Sequence, residues 1–283
     1  MASTADHIVK QRDIIDRKSL AETLDEIASE RETRTQRGRV LEQLQAALAQ
    51  GRAEIDRRLQ LHPSQGYRAA TEQAFLIDQI VRLIYDYVTV HVYPAANRSA
   101  SERIAVLAVG GYGRGELYPN SDIDLLILMP DQAEESSSLD HEIEALIGLL
   151  WDIGLNVGHS VRSLDECINE AKKDITIQTN LLESRLLAGD QSLYQRFWAT
   201  AHRAEDPAAF FHAKLKEQDQ RHAKYNDTAY NLEPNLKESP GGLRDLHMII
   251  WLARSLNLHS GLQIHPGNIW ASLAKLNIIS TLE

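Results

Sequence analysis

Residues 103–129 read RIAVLAVGGYGRGELYPNSDIDLLILM, two apolar runs joined by a turn rich in glycine, proline and asparagine. RIAVLAVGG (103–111) and DIDLLILM (122–129) are short, rich in branched aliphatics and bounded by turn residues, which predicts two strands. The intervening GYGRGELYPNS is too loose for a long helix. The second run opens on Asp122 and Asp124. Side chains two apart on a strand share a face, so the two carboxylates aim together. Buried at the start of a core strand, such a pair is costly unless something neutralises it.

Three familiar phosphate loops do not fit the glycines. G-x-G-x-x-G fails because Glu116 stands where the third glycine after Gly111 and Gly113 belongs. Gly110-x₄-Gly115 is followed by Glu116-Leu117, not by the Lys-Ser/Thr of a Walker A loop. The kinase glycine loop fails likewise, and neither H-R-D nor D-F-G follows. What remains is strand, Gly-Gly turn and Asp-x-Asp opening the next strand. Mg²⁺ typically takes one or two protein carboxylates and completes its shell with water and phosphate. Gly110 and Gly111 carry no side chain to bar a triphosphate from the backbone amides. Two metal ions facing a phosphate cradle are the parts for nucleotidyl transfer. The plainer reading is two aspartates capping a strand edge or the turn YPNSD; the Gly-Gly spacing and the apolar run favour the metal.

Around this unit the chain reads as helical. RVLEQLQAALAQGRAEIDRRLQ (39–60) and RAATEQAFLIDQIVRLIYDYVTVHVY (68–93) repeat at helical spacing, broken by LHPSQGY. LDHEIEALIGLLWDIG (139–154) is amphipathic, and LNVGHSVR (155–162) predicts a third strand. From Ser163 onward only helices are expected, among them DITIQTNLLESRLLAG (174–189), with Asp174 and Asp190 as N-caps and Gly189 as a C-terminal cap. This gives a helical region over 1–95, a mixed core over 96–173 and a helical domain over 174–283.

Composition bounds the rest. Among 283 residues, 40 acidic side chains against 30 basic ones leave a net charge of −10, which argues against broad binding to nucleic acid or anionic membrane. The one cysteine, Cys167, excludes an internal disulfide and fits a reducing cytosol. No membrane span or secretory signal is legible, so a cytoplasmic protein is expected.

VGGYGRGELYPNSDIDLLIL (109–128) resembles the nucleotidyltransferase motif of the polymerase-β-like superfamily, in the form carried by bacterial PII uridylyltransferase/uridylyl-removing enzymes, the GlnD family. LWDIGLNVGHSVRSLDEC (150–167) and NLEPNLKESPGGLRDLHMIIWLA (231–253) resemble the same family and make the likeness specific. It implies an α+β nucleotidyltransferase fold and transfer of UMP from UTP to a tyrosine of the PII signalling protein, with release of pyrophosphate. By position, Asp122 and Asp124 would bind Mg²⁺, and Gly110 and Gly111 the triphosphate. Members carry further HD and ACT domains that are not legible here, so uridylyl removal and glutamine response are not expected of this chain.

Superfamily members commonly add a third acid on the strand after the helix. LNVGHSVR offers Asn156, His159 and Ser160 instead, with Asp152 before it, Asp165 after it and Glu116 as a weaker substitute. Lys237 and Arg244, around the turn Pro240-Gly241-Gly242, are candidates to offset triphosphate charge; the alternative is a loop–helix junction with exposed charges, Arg244 and Asp245 serving the first turn. Arg114 is balanced between a phosphate partner and a solvated turn residue. His159 reads as a core imidazole in preference to an active-site face residue and Cys167 as packing, while Tyr225 and Tyr230 are base-stacking candidates or core anchors. Two rivals stay open: an adenylyltransferase using ATP, with glutamine synthetase or another target, and a regulatory module that binds nucleotide or PII without turnover.

Overall fold

The computed structural model describes residues 8, 10–30, 33–94, 103–130, 137–203, 206–225, 233, 235–260 and 274. Its contacts divide the chain into two compact units, residues 3–167 with 183–197 and residues 168–182 with 198–283.

The larger unit opens with α1 (Gln11–Ile14), α2 (Arg17–Ser29), α3 (Thr33–Leu61) and α4 (Gly66–Tyr87), the last running into a π-helical turn at Val88–Val92. After these come β1 (Ala105–Ala108), the single turn α5 (Gly110–Gly113), β2 (Ile123–Met129), α6 (Ser137–Asp152), β3 (Val157–Ser163) and the start of α7 (Leu164–Lys173). The strand expected over 103–111 thus stops at Ala108, and its glycines wind into a helical turn instead.

The expectation of helices alone after Ser163 does not hold. α8 (Ile175–Leu182) ends early, and Arg185–Gly189 forms β4 before α9 (Gln191–Arg203). β4 pairs antiparallel with β1, so Leu186 lies against Leu107 and Gly189 against Ala105. Gly189 is therefore a strand residue and not a helix cap. Its φ is +92°, and a Cβ there would sit 2.2 Å from the carbonyl oxygen of Ile104, so glycine is required. Asp190 does cap α9, accepting the amides of Ser192 at 2.7 Å and Leu193 at 3.0 Å.

The sheet order is β3-β2-β1-β4, with β2 and β3 parallel and the other pairs antiparallel. A parallel pair needs a crossover, and α6 supplies it. Ile123, Leu125 and Ile127 of β2 join Val106 and Ala108 of β1 in one core with α6, α4 and the N-terminal helices. α4 is buried on nearly every side through its middle, where Leu76, Ile77, Ile80, Val81 and Ile84 are completely covered. Each such side chain contributes about 1.5–3 kcal/mol, an upper bound because unfolded chains are already partly collapsed. Residues 11–92 thus share a core with the sheet.

The smaller unit holds α8, α10 (Pro207–Lys224) and α11 (Leu243–Ser260), closed around Leu182, Phe210, Met248 and Trp251. Asp206 caps α10 through the amides of Ala208 at 2.9 Å and Ala209 at 3.3 Å, with Pro207 at the first helical position. Asp174 caps α8 through Thr176 at 2.7 Å, as expected. Among the described residues, no helix is long and apolar enough to cross a membrane.

Candidate functional site

Asp122 immediately precedes β2 and Asp124 is its second residue; both are exposed. This corrects the premise of two buried acids: the apolar run is buried behind them, while the carboxylates stand at the open end of the strand. Solvent there lowers the cost of the charge pair. Asn156 donates its side-chain amide to Asp122, and the Ile123 amide bonds the Asn156 carbonyl at 3.0 Å. Asp124 is in register with Gly158, where a Cβ would meet Asp124 Oδ1 at 3.1 Å. Asn156 and Gly158 are also two residues apart. Each acid thus faces one member of a matching pair on the neighbouring strand.

The glycine turn is tied to the second acid through the backbone. Val109 donates to the carbonyl of Asp124 at 3.1 Å, so Gly110 follows directly from a residue bonded to the Asp-x-Asp strand. Gly110 adopts φ +59°, a conformation glycine reaches without strain. Gly111 is half-buried and its missing Cβ would meet only Arg114 Nη2, at 3.5 Å, and the Glu116 carbonyl, at 3.7 Å. Gly113 is different, because a Cβ there would lie 1.9 Å from the Glu183 carbonyl oxygen.

Arg114 is not a solvated turn residue. Its side chain is 9 % exposed, and Nη1 donates to both carboxylate oxygens of Glu183 at 2.8 Å, with Nε on Glu116 at 3.1 Å. Burial opposes its charge, but Glu183 and then Glu116 outweigh that and raise its pKa. Glu116 is thereby paired as well. Arg185 grips the turn from β4: it donates to the carbonyls of Tyr112 at 3.1 Å and Gly113 at 3.3 Å. The same guanidinium forks onto Asp78 of α4 at 2.6 and 3.0 Å. Tyr112 is fully buried, which with the nearby Asp78 charge pushes its phenol well above the ordinary value.

Two exposed carboxylates at a strand end, with the neighbouring Cβ missing at Gly158, fit a hard cation that keeps water and phosphate in its shell. Among the described residues, no three His, Cys, Asp or Glu gather at metal-holding distance. Asp152 is paired with Arg37 at 2.6 Å, and Asp165 lies exposed in the first turn of α7. His159 is exposed on β3 with its ring 5.6 Å from Trp151, not a core imidazole. Its alternation on an edge strand explains the difference, since neighbouring residues of such a strand face opposite ways and neither side need be covered. Cys167 is buried, and burial pushes its thiol up to about 12, which suits packing.

In the smaller unit, residues 236–242 form a compact turn before α11. Leu243 and Arg244 donate backbone amides to Leu236 and Lys237, each at 2.9 Å, and Gly242 fits under the carbonyls of Leu236 and Ser239. Lys237 is exposed. Arg244 lies 3.4 Å from Glu238 and over the Trp251 ring, at 5.7 Å from its centroid. Asp245 accepts from Arg221 at 2.6 Å, Gln218 at 2.9 Å, the Gly241 amide at 2.7 Å and His222 at 3.0 Å. Tyr225 is half-buried and its hydroxyl accepts from Asn235 at 3.2 Å, while Tyr230 lies outside the described residues.

Sequence reasoning noted Asn156 only as a missing acid, and passed over Gly158, Asp78, Glu183 and Arg185. Gly158 carried a signal, a glycine in a strand, which often marks close approach of another group. The other three act across 69 to 107 residues of chain and leave no local trace.

Residues 95–182 match the nucleotidyltransferase domain, and residues 209–283 match the GlnD PII-uridylyltransferase family. Proteins named bifunctional uridylyltransferase/uridylyl-removing enzyme are similar: that of Rhodospirillum rubrum is 45% identical over 256 residues, covering 89% of this chain and 27% of its own. That of Novosphingobium aromaticivorans is 46% identical over 254 residues, 88% of this chain and 27% of its own. One from Burkholderia mallei is 49% identical over 180 residues, 64% and 20% respectively. The chain therefore spans about a quarter of the length of such relatives. Two separate family matches and relatives that share one name thus give this chain a nucleotidyltransferase domain over residues 95–182 and a match to the GlnD PII-uridylyltransferase family over residues 209–283.

Proposed function

We propose that this chain transfers UMP from UTP to a tyrosine hydroxyl of a PII signalling protein, releasing pyrophosphate, with Mg²⁺ held by Asp122 and Asp124. The observation that carries the reading is the backbone bond from Val109 to Asp124, which sets the glycine turn beside the acids. When bound, Mg²⁺ neutralises phosphate charge and steadies the attacking and leaving oxygens. The remaining work falls to the chain. Asn156 orients Asp122, Gly158 leaves room beside Asp124, and Gly110 and Gly111 admit the triphosphate to the backbone. Acceleration would come from positioning and fixed electrostatics.

The test is incubation of the chain with PII, Mg²⁺ and either UTP or ATP, read by intact-protein mass. A gain of one UMP per PII subunit supports the proposal. Labelling by ATP alone makes the enzyme an adenylyltransferase, and nucleotide binding without any labelling makes it a regulatory module.

A further inference from the structure

Three glycines in the four residues Gly110–Gly113 make a turn that has much conformational entropy to lose. A backbone cradle aids transfer only if it is ordered before the substrate arrives. The order comes from outside the turn. Glu183 receives both bonds from Arg114, and its own carbonyl fills the space where Gly113 lacks a Cβ. Two residues on, Arg185 holds the carbonyls of Tyr112 and Gly113 while anchored to Asp78. The Glu183 and Asp78 side chains are 1 % and 3 % exposed. Buried ion pairs of this kind add little net stability over an apolar replacement, so geometry is the better account of what they do.

We propose that Glu183 and Arg185 are positioning residues for nucleotidyl transfer, fixing the peptide groups of the glycine turn so that a triphosphate meets a preformed seat. This rests on the reading of Gly110 and Gly111 as that seat. Residues 183–185 also begin the stretch at which the chain re-enters the larger unit after residues 168–182. The seat is thereby anchored to the first residues after that excursion, 69 positions from Arg114 in sequence.

The test compares Glu183→Gln with Glu72→Gln, in the 283-residue chain. Glu72 is an equally buried carboxylate, bonded by Arg58 at 2.9 Å and Arg68 at 3.0 Å in contacts that do not include the turn. UTP affinity is measured by calorimetry, kcat and KM by PII labelling, and folding by circular dichroism. The expected result is a rise of tenfold or more in Kd and KM for UTP, and a fall of about 10²-fold in kcat/KM, for Glu183→Gln only. Arg185→Lys, which keeps the charge facing Asp78 but loses the fork, repeats the comparison and should behave alike. Affinity within twofold of wild type, or an equal loss in Glu72→Gln, overturns the proposal. Loss of the helical signal in both Glu183→Gln and Arg185→Lys overturns it too, because the pairs would then be structural. A wild-type chain that binds UTP without labelling PII sinks the transfer reading alone, and the calorimetry still decides the positioning claim. Wild type that binds neither UTP nor ATP defeats both.

Discussion

The amide of Val109 donates to the carbonyl of Asp124 at 3.1 Å, so the residue that opens the glycine turn is bonded to the residue carrying the second acid. That bond extends the antiparallel β1–β2 ladder by one step, from Ala108 opposite Leu125 into the glycine turn. The turn is therefore a sharp place to separate folding from activity.

Gly111→Ala and Gly113→Ala are expected to diverge. At Gly111 an added methyl meets only ordinary contacts, so the fold survives, yet it occupies the approach to the backbone; KM for UTP should rise about tenfold or more. At Gly113 it collides with the Glu183 carbonyl at 1.9 Å, which should destabilise the chain by about 3 kcal/mol or more. Urea unfolding and initial rates, measured on both variants, check the contrast.

Asn156→Ala and Gly158→Ala test the surroundings of the acids. The first removes the donor that orients Asp122; the second pushes a methyl against Asp124 Oδ1 at 3.1 Å. Both positions are exposed, so stability should change by less than about 0.5 kcal/mol. Misplacement by a fraction of an ångström should still lower kcat/KM by roughly tenfold in each. Titration of activity against Mg²⁺ reads the effect, with more metal needed for half-maximal rate.

The sequence was legible wherever a pattern is local. A strand within 103–111 and one over most of 122–129, the crossover helix, β3 and the caps Asp174 and Asp190 all follow from periods and turn residues within a few positions. β4 was not legible because RLLAG follows a helix without a break and has too few residues to show a period; its strand form comes from pairing with β1, about 80 residues away. The exposure of Asp122 and Asp124 was missed for a similar reason, since an apolar run says which residues are buried but not where along the strand the cover ends. Arg114 shows the limit most plainly. Whether it is solvated or paired depends on Glu183, 69 residues on.

Asp245 is expected to make the smaller unit sensitive to acid. Burial opposes its ionisation, but bonds from Arg221, Gln218, the Gly241 amide and His222 outweigh that and hold its carboxyl well below the usual carboxylate range. A depressed folded-state pKa stabilises fully above the unfolded value, near 4, and the contribution drains away as pH falls below it. Asp245→Asn should therefore cost about 2 kcal/mol or more at pH 7, with the gap to wild type narrowing steadily below pH 4. Urea unfolding followed by tryptophan fluorescence over about pH 2.5–7, a range that brackets the unfolded carboxylate, measures it.

The central claim is that Asp122 and Asp124 act together as the metal-holding pair. The most direct measurement is labelling of PII with UTP and Mg²⁺ by Asp122→Asn and Asp124→Asn, beside their unfolding curves. The account predicts native-like unfolding and a loss of about 10³-fold or more in rate for each, because an uncharged amide is a poor ligand for Mg²⁺. Either variant labelling PII at the wild-type rate would contradict it.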